Sequence, residues 1–146
     1  MSRVIYVLNG PNLNLLGVRE PELYGSTTLA QVQEQCMRVS RELGLDCEFR
    51  QTNHEGVMVD WVQEAREKAD AIAINPAGLS FRSIPLLDSL KTFDKPIVEV
   101  HLTNIHRRDP LYQTSLVSLA ATGVICGLGT FGYELAIRAL AHRIAQ

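Results

Sequence analysis

Five short apolar runs, each followed by polar or glycine-rich residues, most constrain what this chain can fold into. They cover residues 4–8, 46–50, 71–74, 96–100 and 123–126. The first, third and fourth are nearly continuous in β-branched and aliphatic residues, which is typical of strands in a parallel sheet covered on both faces. The runs therefore predict five strands of a largely buried sheet.

Segments with helical spacing separate these runs. Apolar residues recur every three or four positions from Leu29 to Leu43, and Gly44 follows as a stop. Similar spacing predicts helices over 57–65, 83–90 and 131–144, whereas 104–119 has no clear pattern and room for one short helix. Strands alternating with helices give β-α-β units. The pattern predicts an α/β fold: a flavodoxin-like three-layer sandwich with a five-stranded parallel sheet, in a single domain over residues 1–146.

The charge balance excludes several classes of function. The 146 residues include 14 Lys and Arg against 16 Asp and Glu, a net charge of −2. Such a balance gives no electrostatic footprint for a nucleic-acid backbone or an anionic membrane. With 46% hydrophobic and 21% charged residues, the chain is globular rather than disordered. We therefore expect neither a nucleic-acid partner nor a membrane partner.

Cysteine usage and the N-terminus bear on the compartment. Cys36, Cys47 and Cys126 are odd in number and form no C-x-x-C pair, so they predict reduced thiols rather than disulfides or a thiolate zinc site. The first apolar run is too short for a secretory signal, and no stretch approaches membrane-spanning length. The sequence therefore predicts a soluble, cytoplasmic protein.

Polar residues collect after every predicted strand. In a parallel sheet, ligands bind beyond the carboxyl ends of the strands, so these residues share one rim. His54, His101 and His106, three of the four histidines, fall there with most of the asparagines. Asparagine and glycine also serve turn chemistry, and a single strand-end histidine is more often structural than catalytic. Their convergence nevertheless favours an active site at this rim.

Several kinds of binding site fit this rim poorly. No G-x-G-x-x-G or G-x-x-x-x-G-K-[ST] motif is present to cradle phosphates. A phospho-acceptor domain needs acids at the ends of the first and third strands, where this chain has Asn9 and Asn75. The histidines and acids also lack the i, i+4 spacing of a helical zinc site. The remaining interpretation is metal-free acid–base chemistry.

Two groups are candidates for that chemistry. Glu99 and His101 are two apart on one strand, so their side chains point the same way. A carboxylate beside an imidazole orients the ring and favours its protonated form, which makes His101 a candidate general acid. Tyr24 and Arg19 share a glycine-bounded loop, and a nearby cation stabilises a phenolate base. On spacing alone, an aromatic that only packs on the loop explains Tyr24 equally well.

The chain resembles the type II 3-dehydroquinate dehydratases over its whole length. The first two of the motifs that carry the resemblance are very specific in combination. The motifs are N-G-P-N-L-N-L-L-G at 9–17, R-E-P-E-L-Y-G at 19–25, Q-T-N-H-E-G at 51–56, N-P at 75–76, E-V-H at 99–101 and G-L-G at 127–129. The resemblance implies a flavodoxin-like fold and dehydration of 3-dehydroquinate, a small anionic substrate, to 3-dehydroshikimate, with no metal or organic cofactor.

The resemblance also implies catalytic roles. Tyr24, as phenolate, would take a proton from the carbon next to the ketone, with Arg19 and Arg108 stabilising the phenolate. Asn12 would hold a water that stabilises the enolate. The resulting intermediate would then lose its C1 hydroxyl.

The remaining implied roles concern the acid and the substrate contacts. His101, supported by Glu99, would protonate the departing hydroxyl. Asn75 would bind substrate, and the backbone amides of Leu102 and Thr103 would hold its carboxylate. The resemblance thus implies a complete proton-transfer set in this chain.

Three further positions concern assembly and recognition. The family is typically a dodecamer built from trimers, so the resemblance implies a homo-oligomer in which Asp88 reaches into a neighbour's site. Two positions depart from the family pattern: Phe81 stands where the family has histidine, and Tyr112 where it has arginine. In the family those two side chains contact ring hydroxyls remote from the departing one. The substitutions predict weaker or altered substrate recognition with the elimination chemistry kept.

Three functions therefore remain open. The first is a type II dehydroquinase, serving either aromatic biosynthesis or quinate breakdown. The second is a sibling lyase acting on a related polyhydroxy keto acid, or with residual activity only. The third is a non-catalytic binding or regulatory domain, against which the retention of Tyr24, Arg19 and His101 argues.

Overall fold

A single parallel sheet organises residues 2–145, the part of the chain that the computed structural model describes. Its strands are β1 (Arg3–Asn9), β2 (Leu45–Gln51), β3 (Ala71–Asn75), β4 (Ile97–His101) and β5 (Gly123–Cys126). They lie in the order β2-β1-β3-β4-β5, and each neighbouring pair is parallel. This is the flavodoxin-like order, so the predicted fold class and all five predicted strands are confirmed.

The helices lie between the strands. They are α1 (Pro21–Tyr24), α2 (Leu29–Glu42), α3 (Glu55–Lys68), α4 (Ile84–Lys91) and α5 (Phe131–Ile144). The last four confirm the predicted helices. The loop predicted around Tyr24 is instead the short helix α1, because Pro21 supplies the φ angle that a first helical turn requires. Residues 104–119 contain three short 3₁₀ turns rather than one helix.

Local sequence determines where α2 and α4 begin. At the start of α2, the Thr28 hydroxyl accepts a hydrogen bond from the Gln31 backbone N–H at 3.2 Å, and the Gln31 side chain accepts one from the Thr28 N–H at 2.9 Å. This capping box satisfies two amides that lack helical partners. At the start of α4, the Ser83 hydroxyl accepts from the Leu86 N–H at 3.1 Å. In both helices, side chains therefore satisfy backbone N–H groups that have no partner within the helix.

The sheet separates two apolar cores. Successive side chains of β1 alternate between them: Ile5 and Val7 pack with α2 and α5, whereas Tyr6 and Leu8 pack with α3 and α4. All four of these side chains are at least 97% buried. The result is the predicted three-layer arrangement, with the sheet as the middle layer.

The structure also bears on the expectations about thiols and membranes. The three cysteines are free thiols, and burial raises the pKa of Cys47 to about 11. Among the helices of residues 2–145, none combines the length and apolar character needed to cross a bilayer.

A polar cluster of Tyr6, Arg50 and Glu64 connects β1, β2 and α3. The Arg50 guanidinium and the Tyr6 hydroxyl both donate to Glu64 Oε2, at 2.6 Å and 2.5 Å. The hydrogen bond from Arg50, and to a smaller extent that from Tyr6, lowers the pKa of Glu64 to about 2. Burial, then the bond to Glu64, raises the pKa of Tyr6 to about 12. The cluster therefore holds a carboxylate charged and a phenol neutral near pH 7.

Replacing Glu64 by glutamine is expected to lower the free energy of unfolding at pH 7 by about 1–2 kcal/mol, the value of a partly exposed charged hydrogen bond. The pKa of Glu64 is lowered by folding, so this contribution is present above an unfolded-state pKa of about 4.5 and is lost as pH falls towards 2. Urea unfolding at pH 7 and pH 3 measures the difference. Glu48→Gln, a change at an exposed carboxylate 3.5 Å from Arg50, is the control. An equal cost at both pH values would contradict this account.

Candidate active site

The ends of β1, β3 and β4 form the floor of the site. Asn9 and Asn75 are register partners at the ends of β1 and β3, and the Gly10 N–H donates to the Asn75 carbonyl at 2.8 Å. A Cβ atom at Gly10 would lie 2.4 Å from the Pro76 carbonyl oxygen. Only glycine therefore allows the loop after β1 to approach the loop after β3 this closely.

A pocket of about 240 Å³ opens above this floor. Ten of the twelve residues that the sequence analysis named for the site line it: Asn12, Arg19, Tyr24, Asn75, Phe81, His101, Leu102, Thr103, Arg108 and Tyr112. The rest of the lining is mainly apolar and comes from the same loops. A pocket of this size suits one small molecule rather than a polymer.

His101 is held at the pocket by a buried carboxylate. Its Nε2 atom forms a close hydrogen bond with Glu99 Oε2, and the Ser118 hydroxyl donates to Glu99 Oε1 at 2.6 Å. Burial raises the pKa of Glu99, but hydrogen bonds from His101 and neighbouring serines outweigh burial and leave it below its usual value. Because Glu99 occupies Nε2, Nδ1 is the ring nitrogen that remains for a ligand.

Two guanidinium groups lie close to the ring of Tyr24. The Cζ atoms of Arg19 and Arg108 lie 5.2 Å and 5.7 Å from the centroid of its ring. Arg19 also forms an exposed ion pair with Glu20 at 3.2 Å. Both guanidinium groups are thus within the distance range of a cation–π contact with this ring.

Arg108 lies between two aromatic rings. Its Cζ atom is 4.2 Å from the centroid of Tyr112 and 5.7 Å from that of Tyr24. Within residues 2–145, no carboxylate forms an ion pair with this guanidinium. The pocket thus contains a cation whose charge is not neutralised by the protein, which favours an anionic ligand.

Phe81 and Tyr112 form an aromatic wall on the side of the pocket next to His101. The ring centroids of Phe81 and Tyr112 are 5.4 Å apart in an edge-to-face arrangement, and Phe81 is stacked 6.3 Å from the His101 ring. Phe81 has no polar atom to offer a ligand. At this position the pocket lining therefore offers an apolar ring and no hydrogen-bond donor.

Tyr133 is a residue of the site that sequence analysis missed. Its hydroxyl donates to Asn9 Oδ1 at 2.6 Å and accepts from Asn75 Nδ2 at 3.0 Å, while Asn75 Oδ1 accepts from the Ala77 N–H at 3.2 Å. Burial raises the pKa of Tyr133 above its usual range, so the group stays a neutral donor. The available signal was its position in the first turn of α5, which begins at the rim.

Not all of the histidines predicted at the rim line the pocket. Of the three histidines predicted at the rim, His101 alone lines the pocket, and His54 and His106 are exposed outside it. Within residues 2–145, no three His, Cys, Asp or Glu side chains are arranged to hold a metal ion.

Comparison with known proteins places this chain in a family. The model of the family described as Dehydroquinase class II matches residues 3–141. The chain belongs to the class II dehydroquinases. A 3-dehydroquinate dehydratase of Phenylobacterium zucineum is 54% identical over 141 residues, covering 97% of each chain. The 3-dehydroquinate dehydratase 1 of Agrobacterium fabrum is 50% identical over 140 residues, covering 96% of this chain and 97% of its own.

A solved structure is similar throughout. The crystal structure of the type II dehydroquinase from Propionibacterium acnes matches this class II dehydroquinase with a TM-score of 0.94 at 45% identity, over 97% of this chain and 98% of the other. The resemblance to the family is therefore confirmed in sequence and in fold.

Two of the twelve named residues lie outside the pocket of this class II dehydroquinase. Glu99 is fully buried behind His101 and acts on the pocket only through that ring. Asp88 is on the exposed side of α4 and does not line the pocket of its own chain. Its role in a neighbouring subunit stays a prediction.

Proposed function

We propose that this protein dehydrates 3-dehydroquinate to 3-dehydroshikimate. The observation that carries the proposal is the placement of Tyr24 close to both Arg19 and Arg108, in the same pocket as His101. This pairing offers a base stabilised by cations and an acid oriented by a carboxylate. A 1,2-elimination of water from a keto acid requires one group of each kind.

In the first step, the Tyr24 phenolate takes a proton from the carbon next to the ketone. The electron pair of the broken C–H bond moves onto the ketone oxygen and forms an enolate. Asn12, a residue of the pocket lining, holds a water that donates a hydrogen bond to this oxygen. Arg19 and Arg108 favour the phenolate before the transfer and hold the anionic substrate close to it.

In the second step, the enolate collapses and expels the C1 hydroxyl. His101 gives the leaving oxygen a proton, so water departs and the conjugated double bond forms. Glu99, which is ionised near pH 7 because its pKa is lowered, stabilises the imidazolium and orients its ring. Solvent then takes the proton from Tyr24 and returns one to His101, which restores both groups.

Substrate contacts and assembly complete the proposal. Asn75 and the backbone amides of Leu102 and Thr103 hold the substrate and its carboxylate. The protein acts in the cytoplasm as a single-domain homo-oligomer, a dodecamer built from trimers, in which Asp88 reaches a neighbour's site. The exposure of Asp88 on α4 is compatible with such a contact. Its reaction belongs to aromatic biosynthesis or to quinate breakdown.

A direct assay tests the proposed reaction. Purified protein is mixed with 3-dehydroquinate, and the ultraviolet absorbance of the conjugated product is followed. We expect saturable turnover without added metal or organic cofactor. A protein that binds 3-dehydroshikimate in a thermal-shift experiment but gives no turnover would sink the dehydratase assignment.

The aromatic wall supports a second candidate, a sibling lyase with altered or weak recognition of 3-dehydroquinate. Phe81 and Tyr112 stand where the family has histidine and arginine, and Phe81 presents only carbon to the pocket. A hydrogen bond to a charged partner contributes about 1.5–3 kcal/mol, so its loss weakens binding by about 10–150-fold. A related polyhydroxy keto acid with fewer hydroxyls on that side would lose less.

Phe81→His is expected to lower the KM for 3-dehydroquinate about tenfold, because it restores a polar group to the wall beside Tyr112. kcat is expected to change less than KM, since the group lies away from the proton-transfer atoms. Steady-state kinetics measures both, and Phe81→Leu, which changes shape without adding polarity, should not lower KM. An unchanged KM in Phe81→His would show that recognition of the hydroxyls lies elsewhere.

A further inference from the structure

The segment Q-T-N-H-E-G at 51–56 has no part in the reaction described above, although it lies at the rim. Gln51 is the last residue of β2, and Asn53 follows two residues later. The Gln51 amide Nε2 donates to the Gly10 carbonyl at 3.2 Å and to Asn53 Oδ1 at 3.0 Å. Asn53 Oδ1 also accepts from the backbone N–H of Asn12 at 2.9 Å. The segment is thus hydrogen-bonded to the loop after β1 at Gly10 and at Asn12.

Asn12 has an unusual backbone conformation that these bonds hold in place. Its φ angle is +71°, in the left-handed region, and its side chain makes no capping hydrogen bond. Among residues other than glycine, asparagine adopts this region most readily, and hydrogen bonds with Asn53 and Gln51 tie this turn to the neighbouring loop. Asn53 bonds to the N–H of Asn12 itself, and Gln51 bonds to the carbonyl of Gly10 two residues before it. The side chain of Asn12 stays free to line the pocket.

The direction of each hydrogen bond in this network is fixed. The backbone N–H of Asn12 can only donate, so the atom of Asn53 that faces it must be the oxygen. The Gly10 carbonyl can only accept, so the atom of Gln51 that faces it must be the nitrogen. Asn53 therefore serves only as an acceptor here and Gln51 only as a donor. An acid could replace the first but not the second.

We propose that Gln51 and Asn53 are positioning residues that set the left-handed turn at Asn12 and so aim its side chain into the pocket. The consequence for catalysis rests on the proposed function, through the role of Asn12 in holding the enolate's water. A small displacement of such a group lowers kcat more than it weakens substrate binding, because its contact is strongest in the transition state.

Two variants with the same added charge give opposite expected results. Gln51→Glu sets carboxylate oxygens against two acceptors and is expected to lower kcat about 10–100-fold, with KM changed less than threefold. Asn53→Asp keeps the accepting oxygen and is expected to retain most of kcat. Asn53→Leu, similar in size but unable to accept, should behave like Gln51→Glu. Equal losses in Gln51→Glu and Asn53→Asp would show that added charge is the cause and would overturn the proposal.

A double-mutant cycle tests whether the effect passes through Asn12. In an Asn12→Ala background, Gln51→Glu is expected to lower kcat by less than threefold further, because the group that it displaces is already absent. Full additivity of the two losses would overturn the proposal. Asn53→Leu in the same background gives the same test if Gln51→Glu fails to fold, which circular dichroism detects.

Amide hydrogen exchange tests, without any substrate, whether Gln51 and Asn53 hold the turn at Asn12 in place. The amide of Asn12 is expected to exchange at least about tenfold faster in Gln51→Glu and Asn53→Leu than in wild type or Asn53→Asp. Unchanged exchange in both disruptive variants would overturn the positioning proposal even if the enzyme is active. Absence of wild-type turnover, with the expected exchange pattern, would overturn the dehydratase function and leave the positioning established.

Discussion

Tyr24→Phe is expected to lower kcat on 3-dehydroquinate by about 10³-fold or more, while the Kd for 3-dehydroshikimate changes less than threefold. The substitution removes one oxygen, the atom that takes the proton in the first step, and general-base catalysis contributes up to about 10⁴-fold. The ring that contacts Arg19 and Arg108 remains, so the pocket keeps its shape. Stopped assays measure turnover, and calorimetry measures product binding.

Tyr112→Phe is the matched control, because it removes the other phenol oxygen of the pocket and keeps a ring against Arg108. It is expected to lower kcat far less than Tyr24→Phe. Turnover of Tyr24→Phe within tenfold of wild type would mean that another group takes the proton.

His101→Asn is expected to lower kcat for the release of water by about 10²–10⁴-fold, and yet to leave proton abstraction in place. The reason is that Tyr24 and its two arginines are untouched, so the enolate still forms and returns to substrate. In D₂O, NMR should therefore show deuterium entering the substrate at the carbon next to the ketone faster than product appears. Tyr24→Phe should lose this exchange and the product together.

His106→Asn serves as the control, since His106 is an exposed histidine on the same segment and lies outside the pocket. It is expected to match wild type in both exchange and product formation. Loss of deuterium exchange in His101→Asn would contradict the division of labour, because it would make His101 necessary for proton abstraction.

The sheet could be predicted because three of its strands are buried on both faces. β3 and β4 are buried at every position, so their sequences are continuous apolar runs with few alternatives. The helix α1 was not predictable from periodicity, because four residues contain barely one turn. The three 3₁₀ turns after β4 were missed for a similar reason: each is stabilised by its neighbours rather than by an apolar pattern.

The candidate site also contains residues that a local sequence pattern could predict and residues that it could not. The pairing of Glu99 with His101 follows from the two-residue period of a strand, and the structure contains that hydrogen bond. His54 and His106 share the rim but face solvent. A position after a strand predicts which edge of the sheet a residue lies at, but not the direction in which its side chain points. Tyr133 lies in an apolar helical pattern, which predicts that its ring packs in the core and gives no sign of a role for its hydroxyl. Only the fold brings its hydroxyl between Asn9 and Asn75.

The hydroxyl of Tyr133 joins parts of the chain that are synthesised at very different times. It bonds to Asn9, 124 residues earlier, and to Asn75, 58 residues earlier. Ribosomes release the N-terminal segments first, so β1 and β3 can pair before α5 exists. Until α5 docks, Asn9 Oδ1 and Asn75 Nδ2 lack the hydroxyl that connects them. The nascent chain can therefore build most of its sheet well before it has a finished pocket floor, and α5 supplies the last constraint.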